Sequence, residues 1–502
     1  MRIVTLIGAV LCSWAALTAQ AQAQSRWLSV ETPGFVVYAA GSERRATDQA
    51  LQLEQFDGLL RRMTNAPAER SPSKLEVYIF SSDQFEEAFP HFGDNVAGVY
   101  YAQTERIAAY SIFSVNSGLG SQDILFHEYA HHFMYQYFNN AYPAWYIEGF
   151  AEVVSTAVLS PERIVIGRAN PARTRDLLST TWLPMDRVLT TSTSQFRDGR
   201  EAAMFYAQSW LFAHYLLLTP GANAQFATYV RELRSGRPAL EAFQRGFGVT
   251  PSEMQATLRA YLRGNPNAIA LTQPTLVAAP QMTVTQLPAS AQRLMTLAAR
   301  LENGSTVPDE DKAPLLARIR QLAGAAPYDD FALFTLARAE IRLGSTQTAR
   351  TLLEPYLAAN PNNRDTLYLM GLAYLREAHA SEGESRTALL AEARRHLVRG
   401  YRIDANHVPT LARYAETYAG VSMSEATFEN YLNILLLARQ LAPQVDEISL
   451  NAANMLIAAD RPREAIPILR ALAYDPHAGG AAETALRLLT AAEAALTAAP
   501  AN

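Results

Sequence analysis

The sequence predicts two successive architectures: an α+β domain, with a small sheet first and a helical half after it, and then an all-α solenoid of paired helices. Three observations carry this. Residues 26–112 alternate short β-branched and aromatic runs with one long amphipathic segment. Residues 122–262 read mainly as amphipathic helices. From about residue 290 onward the chain is rich in Ala and Leu, helical in period, and punctuated at regular intervals.

With 502 residues there is room for two or three cores. The chain is 49% hydrophobic and 18% charged with a formal net charge of −5, an ordinary balance for a globular protein. No basic stripe interleaved with aromatics is present, so no nucleic-acid partner is expected. Residues 1–23 read as a signal peptide: Arg2 gives the positive start, Ile3 to Leu17 the apolar stretch, and Ala19-Gln20-Ala21-Gln22-Ala23 two overlapping small-x-small cleavage sites. The mature chain is therefore expected to be periplasmic or secreted. Cys12, the only cysteine, falls inside this segment. Disulfides, cysteine nucleophiles and Cys-liganded zinc are thereby excluded from the mature chain. No later apolar run is long enough to span a bilayer, so no transmembrane helix is expected there.

Within the first domain, residues 26–263, Phe35 to Tyr38 and Leu75 to Phe80 read as strands around an amphipathic helix from Arg44 to Met63. Val96 to Tyr101 and Arg106 to Ile112 flank Gln103-Thr104-Glu105 as a hairpin. Helices are expected at Gln122 to Phe138, Trp145 to Val158 and Arg200 to Leu218, then in three shorter segments ending near Leu262. Residues 264–290, punctuated by Gly264-Asn265-Pro266, Gln273-Pro274 and Leu287-Pro288, read as a connector. A helical linker region follows at 291–325, and the repeats occupy 326–498.

Leu333, Leu336, Ala337, Ala349, Leu353 and Pro361 fall at the spacings of a tetratricopeptide repeat, and Leu367 restarts the pattern 34 residues after Leu333. The second unit shows Leu367, Met370, Gly371 and Tyr374, then resumes at Ala393 after about ten extra residues. Leu411, Tyr414, Ala415 and Tyr418 open a third unit; Leu450, Ala452 and Pro476 mark a looser fourth. A helix from Ala482 to Ala495 would cap the stack. Small residues at these points let paired helices approach, and each pair needs a neighbour to cover its apolar face.

The chemistry concentrates in His127-Glu128-Tyr129-Ala130-His131. On a helix, positions i and i+4 share a face, so both imidazoles can reach one metal ion. Glu128 lies one step round, within reach of a water that the metal activates. A catalytic zinc needs three protein ligands and an open position. A histidine six residues beyond His131 would supply one, but that position is Tyr137. Trp145-Tyr146-Ile147-Glu148-Gly149-Phe150-Ala151-Glu152 instead offers two carboxylates one turn apart on one face, Glu148 and Glu152.

These two motifs together resemble the gluzincin metallopeptidases, in particular the peptidase-MA-like domains of exported bacterial proteins, over roughly residues 27–262. The resemblance implies a zincin-like fold, a Zn²⁺ cofactor, His127, His131 and Glu148 as its ligands, and Glu128 as general base. Glu152 would accept a hydrogen bond from the free nitrogen of a ligand histidine. The interval to Glu148 is a residue or two shorter than in the well-known aminopeptidases and thermolysin-like enzymes, which keeps Glu152 open as the third ligand. Related gluzincins place a tyrosine on a helix after the glutamate ligand, and Tyr206 is the candidate oxyanion donor. His132 must point about 100° away from His131 and reads as a packing or surface residue. His214, two turns after Tyr206, reads as a core histidine with the cleft as its alternative. Arg106 to Ile112 is the segment expected to present an edge to a peptide substrate by strand addition.

Two functions are thus expected. One is an exported zinc-dependent metallopeptidase acting on peptide bonds, its repeats binding substrate or partner proteins. The other is a non-catalytic repeat adaptor or envelope assembly factor carrying a structural or degenerate zincin domain. Glu128→Gln separates them.

Overall fold

The computed structural model describes residues 26–498 except 93–95, 97, 113–120, 139–141, 161, 192–195, 197, 265, 267, 273–279, 303–306, 328 and 476. The targeting segment expected at 1–23, with Cys12, lies outside the described residues.

A six-stranded sheet forms the first layer. Its strands are β1 (Trp27–Glu31), β2 (Phe35–Ala40), β3 (Leu75–Phe80), β4 (Gly98–Gln103), β5 (Arg106–Ile112) and β9 (Thr283–Gln286), in the order β4-β5-β3-β2-β1-β9. β2 and β5 flank β3 in parallel; the remaining pairs are antiparallel. Period-two patterning places Phe35, Val37 and Ala39 of β2 on the buried face. Against this face lies α1 (Glu43–Thr64), begun by Ser42, whose side chain accepts the Arg45 backbone N–H. α2 (Ser82–Ala88), opened by a Ser81–Gln84 capping box, follows β3.

α3 (Ser121–Tyr137) crosses the same sheet and bears the histidine motif. Phe126, Tyr129, Ala130 and Phe133, spaced as one helical stripe, are buried. Phe126 stacks on Phe56 at a centroid separation of 3.9 Å, and the Tyr129 hydroxyl donates to Asp57 at 2.6 Å. This stripe fixes the rotation of α3, and so sets the face on which the two motif histidines emerge.

The helical half follows. α4 (Ala144–Ser155) is packed between α3 and α7 (Gly199–Leu218), with α5 (Pro171–Ser179) and α6 (Met185–Thr190) in between in sequence. α8 (Ala222–Arg234), α9 (Ala239–Phe247) and α10 (Pro251–Arg263) complete a second apolar core around Trp145, Trp210, Phe212 and Tyr229. Trp145 stacks on Phe212 at 4.2 Å. Gly149 lies where α4 meets α7: a Cβ there would overlap the Ser209 carbonyl. Gly149→Ala is therefore expected to push the two helices apart and cost about 1–3 kcal/mol, an overpacking penalty read as a lowered Tm. Because Glu148 and Glu152 ride on the same helix, the variant should also displace both carboxylates.

Two expectations are corrected here. β5 is hydrogen-bonded on both sides, to β4 and to β3, so Arg106 to Ile112 is an interior strand, and the edge strands of this sheet are β4 and β9. Residues 264–290 also do more than connect. β8 (Ile269–Thr272) joins β6 (Val158–Leu159) and β7 (Arg163–Ile166) in a three-stranded antiparallel sheet, and β9 completes the main sheet beside β1. Gly and Pro bracket short strands here, and their backbone partners lie more than a hundred residues away, beyond any local pattern.

After α11 (Ala291–Glu302) and α12 (Asp309–Gly324) come helix pairs: α13 (Asp330–Leu343) with α14 (Thr346–Ala359), α15 (Arg364–His379) with α16 (Gly383–Ile403), α17 (Val408–Glu416) with α18 (Glu425–Leu441), and α19 (Asp446–Ala458) with α20 (Pro462–Ala473). α21 (Gly480–Ala498) ends the stack. Ala337, Ala349, Leu353, Leu367, Ala393, Leu411, Ala415 and Ala452 are all fully buried. At Gly371 an added Cβ would sit 2.5 Å from Leu397 Cγ, which is why α15 and α16 need a glycine there. The extra residues before Ala393 lengthen α16, which reaches 21 residues.

The repeats are docked on the first domain. Apolar contacts run without a break from Val37 and Phe133 to Tyr368, Leu411 and Ala452. Arg413, buried on α17, ties Glu105 of the β4–β5 turn to Glu416 and Glu447, and Thr104 donates to Glu447 at 2.6 Å. Among the described residues no helix is long and apolar enough to cross a membrane.

Candidate metal centre

α3 and α4 bring His127, His131 and Glu148 together: one ligand atom from each lies within 4.8 Å of the others. The two Nε2 atoms are 3.0 Å apart, and Glu148 Oε2 stands 3.6 Å from that of His127 and 3.5 Å from that of His131. The Glu148 side chain is wholly buried, and neither oxygen receives a well-directed hydrogen bond. A buried carboxylate is costly unless positive charge stands against it, and His477 Nε2 lies 2.9 Å from Oε1. The donor set of two imidazole nitrogens and one carboxylate is the set that suits zinc. These residues fit the metal their types suggest.

The electrostatics follow from this crowding. Burial would raise the Glu148 carboxyl, but the facing rings of His477, His131 and His127 hold it well below the usual range. Burial depresses His131 below the ordinary imidazole value. His127 is raised despite its burial, because Glu148, Glu152 and Glu128 surround it.

Glu152, one turn beyond Glu148, is placed differently. Arg173 donates to its Oε1 at 2.6 Å and Asn170 to its Oε2 at 3.2 Å, both from the start of α5. Oε1 also faces His127 Nδ1 at 3.9 Å. Glu152 is thus committed to Arg173 and Asn170 behind the His127 ring, whereas Glu148 faces only imidazoles, His127 and His131 at Oε2 and His477 at Oε1.

Glu128 is half-buried on α3, and its charge reaches His127, Tyr100 and Tyr206. Tyr206 projects from α7, with the Arg173 guanidinium 5.0 Å from its ring. Burial first, then the Glu148, Glu152 and Glu128 carboxylates, raise its phenol well above the ordinary value, so it stays a proton donor.

His132 points into the core: Nδ1 meets the Tyr100 hydroxyl at 3.0 Å, and burial lowers its pKa to about 3. His214 is a satisfied core histidine, with Nε2 on the Gly167 carbonyl and Nδ1 on the Tyr261 hydroxyl, each at 2.9 Å. Sequence reasoning missed Arg173 and Asn170, which hold Glu152, and His477, which reaches the centre from the repeats with Nε2 2.9 Å from Glu148 Oε1. No local motif marks any of them; only tertiary contact does.

No protein-family model matches this chain, and no curated protein matches it. Among solved structures, the chain is similar to a thermophilic TPR protein from Thermus thermophilus, at 20% identity and a TM-score of 0.32, over 38% of this chain and 97% of that one.

Proposed function

We propose that the chain is an exported zinc-dependent metallopeptidase of the gluzincin type, with a helical repeat region that binds protein substrates or partners. The observation that carries the reading is the buried Glu148 carboxylate, without a well-directed donor, beside two converging imidazole nitrogens, with Glu128 on the same helix as the histidines. His127 and His131 through Nε2 and Glu148 through a carboxylate oxygen would hold the ion. When bound, zinc would polarise the scissile carbonyl and lower the pKa of the attacking water toward about 7. Glu128 accepts the proton of that water as its oxygen bonds to the carbonyl carbon. It then delivers the proton to the amide nitrogen, and the C–N bond breaks with a neutral amine leaving. The Tyr206 hydroxyl donates to the oxygen on which negative charge develops. Glu152, held by Arg173 and Asn170, keeps the His127 ring oriented.

Metal content of the purified mature protein tests this. The wild type should hold about one zinc per chain, lost in His131→Ala and in Glu148→Ala. Glu152→Gln should keep zinc with affinity lowered about 10–100-fold, the usual effect of removing a partner of a ligand histidine. No zinc after reconstitution would overturn the proposal. Zinc kept in Glu148→Ala but lost in Glu152→Gln would move the third ligand by one turn.

A further inference from the structure

A cavity of about 290 Å³ lies between the sheet and the repeats, and none of the candidate metal ligands lines it. Its floor is the side of the sheet facing away from α1, where alternation along β2 turns Tyr38 out between the buried Val37 and Ala39. Residues of α11, α13 and α15 close it above. At roughly 30 Å³ per water the space equals about ten waters, near the lower end of small-molecule sites.

The acids of this cavity are engaged by the chain itself. Glu76 accepts from the Tyr78 hydroxyl at 2.6 Å and faces Arg106 Nε at 3.2 Å. Asp365 accepts from Arg364 at 2.7 Å, and Glu302 faces Arg342 at 3.2 Å. Arg364 also donates to Asp404, and Arg342 to the carbonyls of Leu301 and Glu302. Arg338 on α13 is different. Its ion pair with Glu302 is a 3.5 Å approach through Nε, and among the described residues neither Nη nitrogen has a hydrogen-bond partner. Its side chain is 27% exposed, so the two outer donors stay open to a molecule in the cavity.

The floor adds an aromatic surface. Tyr110, Tyr78 and Tyr38 stack in turn across three strands, with ring centroids 4.9 and 4.7 Å apart and planes within 17°. Tyr38 lies opposite Ser29 of β1, so the ladder ends there, with no further ring beyond Tyr38 among the described residues. The charge of Arg338 reaches the Tyr38 phenol, which places the open guanidinium near the end of the ladder. A flat ring of a bound molecule would extend the stack.

We propose that this cavity binds a small aromatic carboxylate, its ring against Tyr38 and its acid group on the Nη nitrogens of Arg338. The planar fork of a guanidinium matches the two oxygens of a carboxylate, which makes the contact directional as well as ionic. Such a molecule touches β2 on one side and α13 on the other, so it braces the repeats against the first domain. Binding to the docked form alone stabilises that form by mass action. The site stands whether or not the metal centre holds zinc.

The test titrates the full mature chain with 3-phenylpropionate by calorimetry and follows the melting temperature alongside. One saturable site per chain is expected, with a Tm that rises with ligand concentration and a slower proteolytic release of the repeats. Acetate, which lacks the ring, and 3-phenylpropanamide, which lacks the charge, should each bind at least about tenfold more weakly. Arg338→Gln should lose at least about tenfold in affinity for 3-phenylpropionate while keeping a cooperative melt, and Arg338→Lys should recover part of it. Tyr38→Leu keeps the guanidinium and removes the ring surface; it should weaken 3-phenylpropionate but not acetate, and it carries the test if Arg338→Gln folds poorly. No saturable binding of 3-phenylpropionate at millimolar concentration would overturn the inference. So would affinity that Arg338→Gln and Tyr38→Leu leave unchanged, or acetate binding as tightly as the aromatic acid. None of these outcomes touches the metallopeptidase reading, which zinc content decides.

Discussion

Glu128→Gln is expected to abolish peptide hydrolysis while zinc content and Tm stay at the wild-type level. The amide matches the carboxylate in shape but cannot accept the proton of the attacking water. Positioned general acid–base groups contribute about 10²–10⁴-fold, and in the proposed mechanism one residue serves both the attack and the departure of the amine. The drop in kcat should reach the upper part of that range or exceed it. Glu128 is half-buried and lies off the Phe126–Phe133 stripe, so the substitution leaves the packing of α3 alone. Single-turnover assays on the zinc-loaded variant check this. Turnover within a few fold of wild type would leave the repeat adaptor as the better reading.

Arg413→Ala is expected to cost about 3–5 kcal/mol, because it strips one partner from a buried ionic cluster. The guanidinium Nε reaches Glu105 at 3.1 Å and Nη1 reaches Glu447 at 3.1 Å, with Glu416 on the same group. Its side chain is 8% exposed and that of Glu105 only 14%, so the truncated variant leaves a nearly buried carboxylate with its main neutraliser gone. Glu105 caps the β4–β5 turn, and Arg413 belongs to the repeats; the loss therefore falls on the joint between domains. Denaturant titration should show a lower midpoint, and limited proteolysis should release the repeat region earlier than in wild type. Arg413→Lys should recover only part of the loss, since a point charge cannot address three carboxylates at once.

The helices were legible wherever one face is apolar. Phe126, Tyr129 and Phe133 announce α3 by their spacing, and Leu333, Ala337, Ala349 and Leu353 announce the first repeat pair, because burial of a helix repeats every three to four residues. The strand β9 was not legible. Thr283-Val284-Thr285-Gln286 is short, mostly exposed, and held by backbone pairing to β1, which no side-chain pattern records. The strand order was equally hidden: Arg106 to Ile112 carries the apolar run of a strand but nothing that tells an interior strand from an edge.

The amino-acid sequence by itself determined which residues could meet a metal. His127 and His131 share a face by helical geometry alone, and Glu148 and Glu152 share another, since both pairs are four residues apart on one helix. Only the tertiary structure tells the two carboxylates apart: α4 turns Glu148 toward the imidazoles, while Arg173 and Asn170, arriving on α5, hold Glu152. It likewise brought His477 to the centre from 329 residues beyond Glu148. Periodicity is a property of one segment, whereas the choice of ligand depends on which segments pack together, and packing joins residues that the chain keeps far apart.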